Sequence, residues 1–127
     1  MIKVLKNAKI FSPKYLGKKD ILILKDKIAL IDEEVDFKTS SMEIKVFDVT
    51  GKIILPGFID SHVHISGGGG EGGFSSRTPE INLSQLIRAG ITTVVGCLGT
   101  DGITRSLENL FAKAKALEEE GLTTFMY

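Results

Sequence analysis

The chain has 127 residues, 16 basic and 16 acidic side chains, and no formal net charge with neutral histidine. That balance excludes a general nucleic-acid-binding surface built on excess lysine and arginine, and no apolar run is long enough to cross a bilayer as a helix. The single cysteine, Cys97, excludes an intrachain disulfide, fits a reducing compartment, and sits in an apolar run that favours a buried, inert thiol over a nucleophile.

The first six residues interleave lysines with apolar side chains and lack the apolar core of a secretory signal. A cytoplasmic protein is therefore expected, with neither membrane nor nucleic acid as partner. The first half then reads as short strands. Ile2 to Ile10 is one. Ile21–Leu24 and Ile28–Ile31 flank Lys25-Asp26-Lys27 and predict a hairpin, with Asp26 at the position most in need of positive φ. Val35 to Ser41 is loop-like, and Glu43 to Val49 alternates with Ile44 and Val46 on one face. Residues 1–55 thus form a small all-β unit.

From Pro56 the pattern changes. Phe58 to Ile65 is an apolar strand that ends on both histidines of the chain, His62 and His64. A glycine-rich loop, Gly67 to Gly73, follows. Thr78 reads as an N-cap with Pro79 at the first helical position, and Gly90 as the stop of that helix. Ile91 to Leu98 is a β-branched run suited to a buried parallel strand, and Gly99-Thr100-Asp101-Gly102 is the next loop. Ser106 caps a second helix with apolar residues Leu107, Leu110, Phe111, Ala114 and Leu117, Gly121 ends it, and Leu122 to Tyr127 begins a third strand.

Alternating strands and helices build parallel sheets, whose sites form at the C-terminal strand ends and in the loops that follow. The histidine pair, the glycine-rich loop and the Gly99–Gly102 loop therefore belong on one rim. On an extended strand, side chains at i and i+2 share a face about 7 Å apart, so His62 and His64 can grip one divalent ion together. A pair of exposed strand histidines without a metal is the alternative on spacing alone.

Asp48-Val49-Thr50-Gly51-Lys52-Ile53-Ile54-Leu55-Pro56-Gly57-Phe58-Ile59-Asp60-Ser61-His62-Val63-His64 resembles the entry segment of the amidohydrolase superfamily, as Ala89-Gly90-Ile91-Thr92-Thr93-Val94 resembles its first-helix-to-second-strand segment. Within it, Ser66 to Gly73, Arg77-Thr78-Pro79-Glu80 and Val95 to Asp101 are most similar to the isoaspartyl dipeptidase (β-aspartyl peptidase) branch. Dihydroorotase-like members carry an arginine just after the histidine pair, where this chain has Ile65-Ser66.

The resemblance implies an α/β fold: the start of a (β/α)8 TIM barrel over 56–127, with two βα units and a third strand, preceded by part of a β-sandwich over 1–55. It implies a metallo-dipeptidase in which a metal-bound hydroxide hydrolyses the β-aspartyl amide of a small dipeptide, in a full-length homo-oligomer. His62 and His64 would ligate one of two zinc ions. Glu71 would pair with the substrate α-ammonium, Gly69 and Gly70 would let the backbone approach the substrate, and Thr100 would hydrogen-bond it. Asp60 is expected to brace the strand end. Glu71 as a solvated carboxylate, and Thr100 and Asp101 as turn formers, remain open readings, and Arg77 reads as a loop brace more than a substrate ligand.

The family's other ligands, a carboxylated lysine and two further histidines, and its catalytic aspartate have no counterpart here. No catalytic set is complete, and a whole barrel takes roughly 250 residues. The chain is expected to be inactive alone and to associate. Two other readings are a piece of another amidohydrolase, such as a deacetylase or hydantoinase-like enzyme, and a non-catalytic scaffold on the same fold.

Overall fold

A computed structural model describes residues Met1–Tyr127 as two compact units, Met1–Pro56 and Gly57–Tyr127.

The first unit is a five-stranded sheet of β1 (Ile2–Phe11), β2 (Tyr15–Leu24), β3 (Lys27–Asp32), β4 (Ile44–Asp48) and β5 (Ile53–Ile54). The order runs β3-β2-β1-β4, with β5 also paired to β1. The β2–β3 hairpin forms, but its left-handed residue is Lys25, at φ 57°, rather than Asp26. The strands pair up to Leu24 and Lys27, leaving a two-residue turn with positive φ at its first position only.

β1 is parallel to β4 over Ile2–Lys6 and to β5 over Lys9–Ile10. Its pairing with β2 slips between Leu5 and Ala8, where Asn7 takes φ 67°. The slip is a bulge that hands β1 from one parallel partner to the next. Asp20 holds it in place. Its Oδ1 accepts the Asn7 backbone N–H at 2.9 Å, its Oδ2 accepts that of Val35 at 3.0 Å, and Lys6 Nζ lies 2.7 Å from Oδ2. Burial alone would raise the Asp20 pKa, but the Lys6 and backbone hydrogen bonds outweigh it and hold the carboxyl below its usual range.

The second unit is a parallel sheet of β6 (Phe58–Val63), β7 (Ile91–Gly96) and β8 (Thr123–Met126), in that order. α1 (Leu83–Arg88) and α2 (Leu107–Glu119) are the crossovers, packed on β7 and β8 respectively. Leu86, Val94, Leu110, Leu117 and Ile65 are essentially solvent-free and form the core with Ala114 and Leu122. Each buried Leu or Ile contributes about 1.5–3 kcal/mol relative to exposure. Leu107 and Phe111 of α2 lie outside this core, exposed by 59% and 52%.

Ser106 caps α2, its side chain accepting the Asn109 N–H at 3.3 Å. α1 starts later than the Thr78-Pro79 pair predicts. Asn82 is its N-cap, and the Gln85 side chain accepts the Asn82 N–H at 2.8 Å. Thr78 is drawn to the glycine-rich loop instead: its hydroxyl and backbone N–H both bond Gly68, at 2.8–3.0 Å. Gly90 takes φ 75° and ends α1 in the left-handed conformation.

Candidate active site

β6 carries His62, and His64 follows at its end, where the chain turns into the glycine-rich loop. The neighbouring strand supports both, because the Cys97 backbone N–H donates to the Val63 carbonyl at 2.9 Å. The two imidazole centroids are 5.3 Å apart and nearly edge-to-face. Asp60 Oδ1 accepts the His62 backbone N–H at 3.2 Å, so this carboxylate braces the strand end.

His64 Nδ1 lies 3.3 Å from the Cys97 carbonyl oxygen and 3.4 Å from its sulfur. A carbonyl can only accept, so a hydrogen bond to it requires the proton on Nδ1, whereas one from the thiol requires Nδ1 to accept. The His62, His64 and Cys97 donor atoms lie within 4.8 Å of one another, and both histidines are exposed. Two accessible imidazoles on one strand end fit a divalent ion. Cys97 is buried, as an apolar-run thiol should be, but it also touches His64. The sequence reading missed that contact, although the position of Cys97 at a strand end on the same rim was a usable signal.

The loop after β6 folds back upon itself and upon the loop after β7. Gly69, at φ 75°, could not take a Cβ without striking the Ser76 carbonyl, and Gly70 sits at φ 105°. Loop closure therefore already requires glycine at 69, before any ligand is considered. Gly68 and Gly99 back the His64 ring, since a Cβ at either would lie 3.3 Å and 3.6 Å from its carbons.

Thr100 donates its hydroxyl to the Gly69 carbonyl at 3.3 Å. Glu71 is exposed on the same loop. Its carboxyl is held below the usual range by its own backbone N–H first, then by the Thr100 hydroxyl, with a smaller pull from His64. The predicted residues Gly69, Gly70, Glu71 and Thr100 thus lie together, on loops that also flank His64.

Arg77 and Asp101 join the two loops as an ion pair, Nε to Oδ2 at 2.8 Å, although the N–H is not aligned for a hydrogen bond. Asp101 Oδ1 also accepts the backbone N–H groups of Ile103 at 3.2 Å and Thr104 at 2.9 Å, and the Thr104 hydroxyl bonds Oδ2. The Thr104 hydroxyl first, then these N–H groups and Arg77, bring the Asp101 pKa down to about 2. No helix here is long and apolar enough to cross a membrane.

The amidohydrolase family model matches residues 53–124. A β-aspartyl dipeptidase from Fervidobacterium islandicum AW-1, solved with a β-Asp-Leu dipeptide, is 61% identical over all of this chain at a TM-score of 0.91. The chain covers 33% of that structure. A D-hydantoinase structure is 26% identical with a TM-score of 0.62, over 90% of this chain and 24% of its own. Among curated relatives, a dihydroorotase of Listeria monocytogenes is 38% identical over 120 residues, 91% of this chain and 26% of the relative. The chain thus spans about a quarter to a third of the proteins it resembles.

Proposed function

This chain belongs to the amidohydrolase family, and we propose that the protein carrying it is a zinc-dependent isoaspartyl dipeptidase, of which these residues supply the N-terminal part of the active site. The observation that carries the reading is the 61% identity to a β-aspartyl dipeptidase over the entire chain. The domains follow the same reading: the first unit as part of a β-sandwich, the second as the first strands and helices of a (β/α)8 barrel, in a cytoplasmic homo-oligomer.

His62 and His64 would hold one zinc ion. A divalent ion there would lower the pKa of water and polarise the scissile carbonyl of an otherwise unreactive amide. The residues of this chain do the recognition. Glu71, whose carboxylate form is favoured first by its own backbone N–H and then by the Thr100 hydroxyl, pairs with the free α-ammonium of the isoaspartyl residue. Gly69 and Gly70 present backbone groups to the substrate, and Thr100 orients it by hydrogen bonding. A substrate lacking the ammonium leaves the Glu71 charge without its partner, which is a basis for selectivity.

The curated dihydroorotases favour a second reading, ring hydrolysis of a cyclic ureide or amide. That branch uses a cation just after the histidine pair, whereas Ile65 and Ser66 are neutral here and 0% exposed, which favours the dipeptidase. Replacing Glu71 with Gln in the full-length, metal-loaded protein tests the choice. The dipeptidase reading expects kcat/KM for β-aspartyl-leucine to fall about a hundredfold, with little change for succinyl-leucine, its des-amino analogue. Equal effects on both substrates would reject it.

A further inference from the structure

The residues expected to touch substrate sit on two different loops, joined by a few side-chain ties. Gly69, Gly70 and Glu71 belong to the loop after β6, and Thr100 to the loop after β7. The Thr100–Gly69 hydrogen bond is long, at 3.3 Å. Arg105 Nη2 donates to the Thr78 carbonyl at 2.8 Å, at the base of the two segments, and the Arg77–Asp101 pair ties them beside Gly70, also at 2.8 Å. The Asp101 side chain is only 6% exposed, and the Arg77 side chain 32%.

Each partner is anchored on its own side. Asp101 is fixed by the Ile103 and Thr104 N–H groups of its own turn. Arg77 follows the short 3-10 turn Phe74–Ser76, against whose last carbonyl Gly69 closes. Gly70 lies over both members: a Cβ there would be 3.4 Å from Asp101 Cβ and 3.7 Å from Arg77 Cγ. The ion pair therefore lies directly under the backbone that presents Glu71.

We propose that Arg77 and Asp101 are positioning residues, whose ion pair locks the glycine-rich loop to the loop after β7 and so sets the placement of Glu71 relative to Thr100. Both are assigned to act through the two loops they join. The inference deepens the dipeptidase reading and rests on it for its catalytic consequence, but its structural half stands separately. A salt bridge this sheltered is costly to leave half-made, so removing either partner should release both loops.

The test uses the full-length, metal-loaded protein with Arg77→Met, Arg77→Lys, Asp101→Asn and the double variant Arg77→Met/Asp101→Asn. Amide hydrogen exchange is read first. Arg77→Met should speed exchange about tenfold in the opposite loop, 100–104, and Asp101→Asn likewise in 69–73, with β6 and β7 unchanged. Arg77→Lys should stay within about threefold of wild type, because it keeps the charge. The selectivity ratio for β-aspartyl-leucine over succinyl-leucine should fall about tenfold in each disrupted single variant, mainly through KM. The double variant should be no worse than the worse single, as coupled residues require.

Unchanged exchange in the opposite loop overturns the proposal, as does a loss of kcat with the selectivity ratio intact. If exchange changes as described but wild type cleaves neither peptide, the dipeptidase reading fails and the clamp stands. If exchange does not change while Glu71→Gln still abolishes selectivity, the clamp fails and the dipeptidase reading stands.

Discussion

His64 Nδ1 points at Cys97, 3.3 Å from its carbonyl oxygen and 3.4 Å from its sulfur. The ring is thereby fixed with Nε2 turned away from the thiol. His62 and His64 would then hold a divalent ion, with Cys97 supporting the His64 ring and not serving as a ligand. Three expectations follow for the full-length protein. Cobalt bound in place of the native metal shows no thiolate charge-transfer absorption. Cys97→Ser retains the metal stoichiometry. His62→Asn and His64→Asn each weaken metal binding by at least about tenfold, measured by competition with a chromophoric chelator.

Gly69→Ala tests whether the glycine requirement comes from the loop itself. A Cβ at this position meets the Ser76 carbonyl, at a backbone φ of 75° that disfavours side chains. The substitution should raise protease sensitivity between residues 67 and 78 in the absence of any substrate. An alanine variant with wild-type proteolysis and impaired peptide cleavage would place the requirement in substrate contact instead.

The bulge in β1 should make the first unit acid-sensitive. Asp20 has a folded pKa below its unfolded value of about 3.9. Its contribution is therefore fully present above the unfolded pKa and is lost as pH falls through the folded one. Asp20→Asn should lower stability at pH 7 by about 2 kcal/mol, a figure kept modest because Lys6 is partly in water. The gap between wild type and variant should narrow below about pH 4, measured by urea unfolding followed by circular dichroism.

Much of this architecture was legible from local pattern. The β-branched run at Ile91 became a parallel strand, though buried only at Val94 and Gly96, and Ser106 capped the helix it precedes, because both signals are local and nothing nearby competes. At Thr78 a tertiary partner displaces the local one. Thr78-Pro79 is a good helix start, yet the Thr78 hydroxyl and N–H are taken by Gly68, and Asn82 caps α1 instead. Lys25 rather than Asp26 takes the left-handed turn position. The bulge at Asn7, the Arg77–Asp101 pair and the Cys97–His64 contact each join residues 13 to 33 positions apart, and no periodicity encodes such pairings.

The 127-residue chain on its own should not cleave β-aspartyl-leucine, even with zinc added. His62 and His64 give two ligands, whereas a catalytic zinc site usually takes three protein ligands and an open position. Release of leucine by the purified chain, lost on chelation and restored by zinc, would contradict this.

The most direct test of the account is a comparison of kcat/KM for β-aspartyl-leucine and for dihydroorotate, on the full-length protein with bound zinc. The dipeptidase account predicts efficient release of leucine, abolished by chelation, and ring opening of dihydroorotate at least about a thousandfold slower. Dihydroorotate turnover that equals or exceeds dipeptide cleavage would contradict it.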